Sequence, residues 1–118
     1  RKPKPPVVRK PKLPLLGVWP NIREKDFQQM VLNVAWPSGW ETYHTYDSRR
    51  SDPGFPDLCL VRGERLLFAE LKTIKGRLRD AQKHWLALLT KVPCVEVYLW
   101  RPTDWDPTCA QITSFQIG

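Results

Sequence analysis

Gly54-Phe55-Pro56-Asp57-Leu58-Cys59-Leu60-Val61 and Leu66-Leu67-Phe68-Ala69-Glu70-Leu71-Lys72-Thr73 are two short apolar runs separated by Arg62-Gly63-Glu64-Arg65, with the turn at Arg62-Gly63-Glu64. They read as a pair of strands joined by a turn. Asp57 heads the first strand. Glu70 and Lys72 lie two apart near the end of the second, so the strand period of two sends both side chains to one face. Leaving a carboxylate unpaired among apolar groups is costly, so charges in such a place pair with one another or hold a metal. Two carboxylates on neighbouring strands can hold a hard divalent cation through oxygen. An amine beside them can orient or deprotonate a water. The combination suits hydrolysis of a phosphodiester.

Upstream of this pair, the spacing of Phe27, Met30, Val31 and Val34 predicts a helix over Ile22–Ala35. Asn21 can cap it, Glu24 follows three residues later as in a capping box, and Trp36-Pro37-Ser38-Gly39 ends it. Glu24 is in register with Phe27, Gln28 and Val31, and so borders the buried face. As a first-turn acid it suits the helix dipole. Trp40–Tyr46 reads as a strand, with His44 in a packing role, and Asp47–Phe55 as a polar loop carrying Arg49 and Arg50. Downstream, Lys75-Gly76-Arg77 forms a turn. A second helix is expected over Arg79–Lys91, with Ala81, Trp85, Leu88 and Leu89 as its apolar stripe and Gln82 on the edge of that stripe. Pro93 breaks the helix. Val95, Val97 and Leu99 alternate with Glu96 and Tyr98 as a fourth strand, which Arg101-Pro102 ends. Trp105 and the segment Gln111–Phe115 suggest a short turn and an edge strand.

A chain of 118 residues fits one domain. It divides into a Pro-rich basic tail over 1–17 and a folded unit over 18–118. The tail is expected to be extended, serving as a DNA-gripping arm or as a linker to a further domain, since the chain begins at Arg1. The net charge is +7, and six of the positive charges sit at Arg1, Lys2, Lys4, Arg9, Lys10 and Lys12. The remainder carries 13 basic and 12 acidic residues, so location matters more than total. Its basic residues gather at Arg49-Arg50 and from Lys72 to Lys83, where a phosphate backbone would be attracted. The apolar runs fall short of the ~20 residues a membrane helix needs, and no signal peptide is visible. The three cysteines have no C-x-x-C spacing. They speak against a zinc knuckle or disulfide framework. Cys59 and Cys94, in apolar strands, are expected to be buried, reduced thiols.

Pro56-Asp57 followed by Glu70-Leu71-Lys72 resembles the PD-(D/E)xK nuclease signature. Further words sharpen the likeness: Tyr43-His44-Thr45, Ser48-Arg49-Arg50-Ser51, Gly54-Phe55-Pro56-Asp57, Phe68-Ala69-Glu70-Leu71-Lys72-Thr73, Gln82-Lys83-His84-Trp85-Leu86 and Trp100-Arg101-Pro102-Thr103-Asp104-Trp105. Together they resemble the VRR-NUC family of virus-type replication and repair nucleases, over roughly Arg23 to Trp105. The resemblance implies an α/β, restriction-endonuclease-like αβββαβ core with a mixed central sheet flanked by helices.

It also implies a ligand set. Asp57, Glu70 and the carbonyl of Leu71 would hold Mg²⁺ or Mn²⁺, with Glu24 joining directly or through water. Lys72 would position the attacking water, and Gln82 would orient water or phosphate. Arg49, Arg50, Lys75, Arg77 and Lys83 would contact DNA. The implied activity is a metal-dependent endodeoxyribonuclease, structure-selective for branched duplex such as a Holliday junction and working as a homodimer. Trp19, Trp36, Trp40, Tyr98 and Trp100 are candidates for the interface. No membrane role is expected. The implied location is the host cytoplasm for a phage protein, or the nucleus for a piece of a eukaryotic repair enzyme. The alternatives are a nonspecific or sequence-specific duplex nuclease, a non-catalytic nucleic-acid-binding module, and a purely structural ion cluster.

Overall fold

The computed structural model of the chain describes residues 22–44 and 53–114. The basic tail, Trp19, Asn21, Arg49, Arg50 and Phe115 lie outside them. In chain order the elements are α1 (Glu24–Ala35), β1 (Glu41–His44), β2 (Leu58–Arg62), β3 (Arg65–Leu71), α2 (Asp80–Thr90) and β4 (Val95–Trp100). A 3₁₀ turn (Pro102–Asp104) and α3 (Trp105–Thr113) follow.

The hairpin β2–β3 is antiparallel, with Leu58 opposite Ala69 and Arg62 opposite Arg65. Gly63, at φ +58°, takes the first central position of its two-residue turn, where a side chain would be strained. β1 pairs antiparallel with β2 on the outer side. β4 pairs parallel with β3, so the chain must cross over between them, and α2 is the crossover. The sheet order is β1-β2-β3-β4. This is the expected α/β architecture with a mixed sheet.

Alternation along β3 separates two faces. Leu67, Ala69 and Leu71 point into the core with Leu58, Leu60 and Trp100, under α1 (Phe27, Val31, Leu32, Val34, Ala35) and α3 (Trp105, Ile112). Leu66, Phe68 and Glu70 point the other way. There Phe55 meets both Phe68 and Trp85 of α2 edge-on, with ring centroids 5.7 Å and 5.1 Å apart. α2 buries no residue completely. The α2 face is therefore thinner than the α1/α3 face, and Glu70 sits on it.

Several expectations are corrected. α1 begins at Glu24 with Arg23 as its N-cap, two residues later than expected. Arg23 instead ties the first turn through its ion pair with Asp26, at 2.9 Å. The C-terminal region forms α3 rather than a turn and an edge strand. Pro107 falls in the first turn, where its missing N–H has no helical partner to lose. Trp105, Thr108 and Ile112 make the buried stripe. Of the aromatic residues offered for an interface, Trp19 lies outside the described residues and the other four belong to the core: Trp40 and Trp100 are buried, and Trp36 and Tyr98 pack against the core cluster. Their polar atoms are satisfied internally, Trp36 Nε1 on Thr42, Trp40 Nε1 on the Ile112 carbonyl and Trp100 Nε1 on Gln111. Cys59 and Cys109 are half-buried, whereas Cys94 is exposed in the α2–β4 connection; all three are free thiols.

Candidate active site

The β2–β3 register sets the site. With Leu58 opposite Ala69, the residue before β2 comes level with Glu70. That residue is Asp57, and its Oδ2 accepts the Leu71 backbone N–H at 2.9 Å. The acid at the mouth of one strand is thus tied to the backbone of the next. The Leu71 side chain itself is buried in the core, so only its main chain can take part in the site.

Glu70 is 1% exposed. Its Oε2 accepts from Gln82 Nε2 at 2.9 Å and lies 4.0 Å from Lys72 Nζ. Its Oε1 is buried with no hydrogen-bond partner. Burial pushes the Glu70 carboxyl up to about 8, and the charge of the neighbouring Asp57 adds to this, against the pull of Lys72. Lys72 follows β3 on the same side and is 8% exposed.

Gln82 reaches the site from α2. Its Oε1 accepts the Arg79 backbone N–H at 2.8 Å, half of a capping box, while its Nε2 serves Glu70. Glu24 stands at the start of α1. As a whole residue it is exposed, but partial burial of its carboxyl and the charge of Asp57 raise it above the usual carboxylate range. Lys72 and Arg79 pull it down. Glu24 therefore feels the site's field from its rim. Lys75, Arg77 and Lys83 are exposed on the turn and helix that follow Lys72.

Two further residues shape the site, and sequence reading passed over both. Gly54, at φ +87°, lies so close to α2 that a Cβ there would stand 2.4 Å from the Ala81 carbonyl carbon and oxygen. Only glycine allows this approach. It brings the loop carrying Asp57 against the helix carrying Gln82. The Gly-x-Pro-Asp run held that signal, but Gly54 read only as part of a polar loop and of a family-like word. Arg101, read as the end of β4 and as part of a family-like word but given no role, donates through Nη1 to the carbonyls of Thr73, Ile74 and Gly76. Nothing local to Arg101 announces a contact 25 to 28 residues away.

Among the described residues, no three His, Cys, Asp or Glu side chains gather as a ready-made metal cage. The donor set is instead a carboxylate pair, Asp57 and Glu70, with one buried oxygen lacking a partner. A hard cation that keeps several waters and takes one or two carboxylates fits such a set.

Comparison with known proteins agrees with this fold. A solved structure described as a VRR_NUC domain protein superposes with a TM-score of 0.57 at 18% identity, covering 80% of this chain and 93% of that one. It shares the fold. The Fanconi-associated nuclease 1 homolog of Schizosaccharomyces pombe is 43% identical over 47 residues, which are 38% of this chain and 7% of that protein. The family model of the VRR-NUC domain matches residues 16–99, well over half of the sequence. The chain belongs to the VRR-NUC domain family.

Proposed function

We propose that this chain is a metal-dependent endodeoxyribonuclease that hydrolyses phosphodiester bonds in branched DNA, with Mg²⁺ or Mn²⁺ held by Asp57, Glu70 and the Leu71 carbonyl, and Glu24 joining at the rim. Membership in the VRR-NUC family supports a nuclease role. The observation that carries the finer reading is the unpartnered Glu70 Oε1, buried beside a second carboxylate and an amine. Evicting water from a carboxylate oxygen and giving it no donor is unfavourable unless something replaces the water. When bound, the ion would lower the pKa of a water and stabilise charge on the phosphate.

The chain's own residues would do the rest. Gln82 fixes the Glu70 carboxylate through Oε2 and leaves Oε1 to face the site. The Leu71 N–H holds Asp57 in place. Lys72, 4.0 Å from Glu70, supplies a donor and a positive charge where negative charge develops on the phosphate. Lys75, Arg77 and Lys83, exposed beside the site, would bind the backbone, as would Arg49 and Arg50. So small a unit has little area for reading bases, which favours recognition of DNA shape over sequence. A homodimer would present two such sites to two strands.

The test is a panel of labelled four-way junction, flap and linear duplex with Mg²⁺ or Mn²⁺, run beside Glu70→Ala. Metal-dependent cutting of the branched substrates, lost in Glu70→Ala, is the expected result. Equal cutting of linear duplex removes the structure selectivity. Cutting retained by Glu70→Ala removes the site.

A further inference from the structure

We propose that Arg101 is a positioning residue for the Lys72 amine, acting through the turn at Thr73–Gly76. The inference rests on the role given to Lys72 above. Arg101 stands at the end of β4, directly after Trp100, whose carbonyl accepts the Lys72 backbone N–H at 3.0 Å. Its Nη1 donates to the Thr73 carbonyl at 2.7 Å, the Gly76 carbonyl at 2.7 Å and the Ile74 carbonyl at 3.4 Å. One guanidinium nitrogen thus gathers the carbonyls of a turn that the Gly76 N–H to Thr73 carbonyl bond, at 3.2 Å, closes only weakly. Charge-assisted bonds of 2.7 Å are the strong kind. The backbone N–H of Arg101 is itself held by Asp104 Oδ2 at 3.0 Å, so the clamp is anchored at its base.

The clamped turn lies on the lysine. A Cβ at Gly76 would stand 3.3 Å from Lys72 Cδ and 3.0 Å from Thr73 Oγ1. Gly76 therefore walls the aliphatic stem whose amine lies 4.0 Å from Glu70 Oε2. A lysine side chain has ample rotamer freedom, and its ammonium is a point charge with no directional fork of its own. Where the amine points is decided by the walls around the stem. The end of β4 holds Arg101, Arg101 holds the turn, and the turn holds Lys72 against Glu70. Removing the clamp releases the turn's carbonyls to water and frees the stem. A lysine in place of Arg101 keeps the charge, but its Nζ ends one bond short of where Nη1 meets the three carbonyls.

The experiment uses the full chain, wild type against Arg101→Lys, Arg101→Ala and Gly76→Ala, with two readouts. The first is the rate at which an amine-acylating reagent labels Lys72 in the metal-free protein, read by mass spectrometry against exposed Lys75 in the same sample. The expected result is faster labelling of Lys72, relative to Lys75, in both Arg101 variants, and an altered rate in Gly76→Ala. The second is cleavage kinetics. There kcat falls about ten- to hundredfold while KM for DNA stays within about twofold, because the loss is of orientation rather than of binding. Guanidinium chloride, against matched NaCl, should restore part of the activity of Arg101→Ala. Lys72 labelling at the wild-type rate in folded Arg101→Lys and Gly76→Ala overturns the proposal, as does wild-type kcat in Arg101→Lys. Should Arg101→Ala fail to fold, those two variants decide the matter alone. Should the wild-type protein cut no DNA, the nuclease reading fails, while the labelling comparison still decides whether Arg101 holds Lys72.

Discussion

The β2–β3 hairpin has two ends, and they treat charge in opposite ways. At the turn end, Arg65 pairs with Glu96 at 2.6 Å and donates to the Gln111 and Ser114 carbonyls. Arg62 donates to the carbonyls of Ser38, Ile112 and Ser114. Both guanidinium groups stack on Trp40, 4.6 Å and 4.9 Å from its ring centre. The cations there take up carbonyls that the last turn of α3 leaves unpaired. The hydrogen bond to Arg65 holds the Glu96 carboxyl below the usual carboxylate range. At the open end the acids crowd one another, a buried oxygen has no donor, and the Glu70 carboxyl is pushed up rather than down. One hairpin therefore carries a well-paired clasp at one end and a crowded, poorly satisfied carboxylate cluster at the other.

Breaking the two ends should give separable phenotypes. The largest effect belongs to the open end. Lys72→Ala or Glu70→Gln is expected to cut metal-dependent cleavage by about 10²–10⁴-fold, with DNA binding by gel shift largely intact. Above pH 8, where the carboxyl is charged, Glu70→Gln should also unfold at the same or a higher temperature than metal-free wild type, since it removes a buried, poorly paired charge. A fall in melting temperature for Glu70→Gln would mean that the open end is not strained. Next comes the turn end. Arg65→Ala strips Glu96 of its arginine, leaving it the Tyr98 hydroxyl, and frees the Gln111 and Ser114 carbonyls; it is expected to cost about 3 kcal/mol of stability in denaturant titration. Cleavage per folded molecule should stay at the wild-type level at low temperature. A smaller effect sharpens the contrast through pH. The Glu70 carboxyl titrates near 4.5 when unfolded and near 8 in the folded, metal-free chain. The folded state thus binds more protons across that window, so thermal stability should fall as pH rises from 4.5 to 8. Glu70→Gln should flatten that slope, and a divalent cation should restore stability at its upper end. The smallest effect lies outside the hairpin. Lys83→Ala should raise KM modestly and reduce the salt dependence of DNA binding by about one unit of slope, leaving kcat unchanged.

The open end of the hairpin was legible in the sequence and the clasp at its turn was not, for reasons that differ by region. The hairpin and the crossover were readable because their signals are local. Alternation along Leu66–Leu71 marks one strand, Gly63 marks the turn, and the helical stripe of α2 sits between β3 and β4. Asp57, Glu70 and Lys72 stood out because charges interrupt apolar runs, and the structure brings all three to one end of one hairpin. The C-terminal helix was not readable, because Pro107 looks like a breaker until its place in the first turn is known. The aromatic set misled because tryptophan fits a core as readily as an interface, and only the path of α1 and α3 decides which. Gly54 and Arg101 act across long stretches of sequence. Their partners are fixed by tertiary packing, which no periodicity encodes.

The amide of Gln82 has one further implication. Its oxygen is spent on the first turn of α2 and its nitrogen on Glu70, so the group cannot be flipped without losing both bonds. No other natural side chain does both jobs. Glutamate would aim a second anion at Glu70, asparagine falls a methylene short, and leucine offers neither atom. The start of the crossover and the geometry of the carboxylate are thereby locked to one residue, and drift in either would be felt at once by the other.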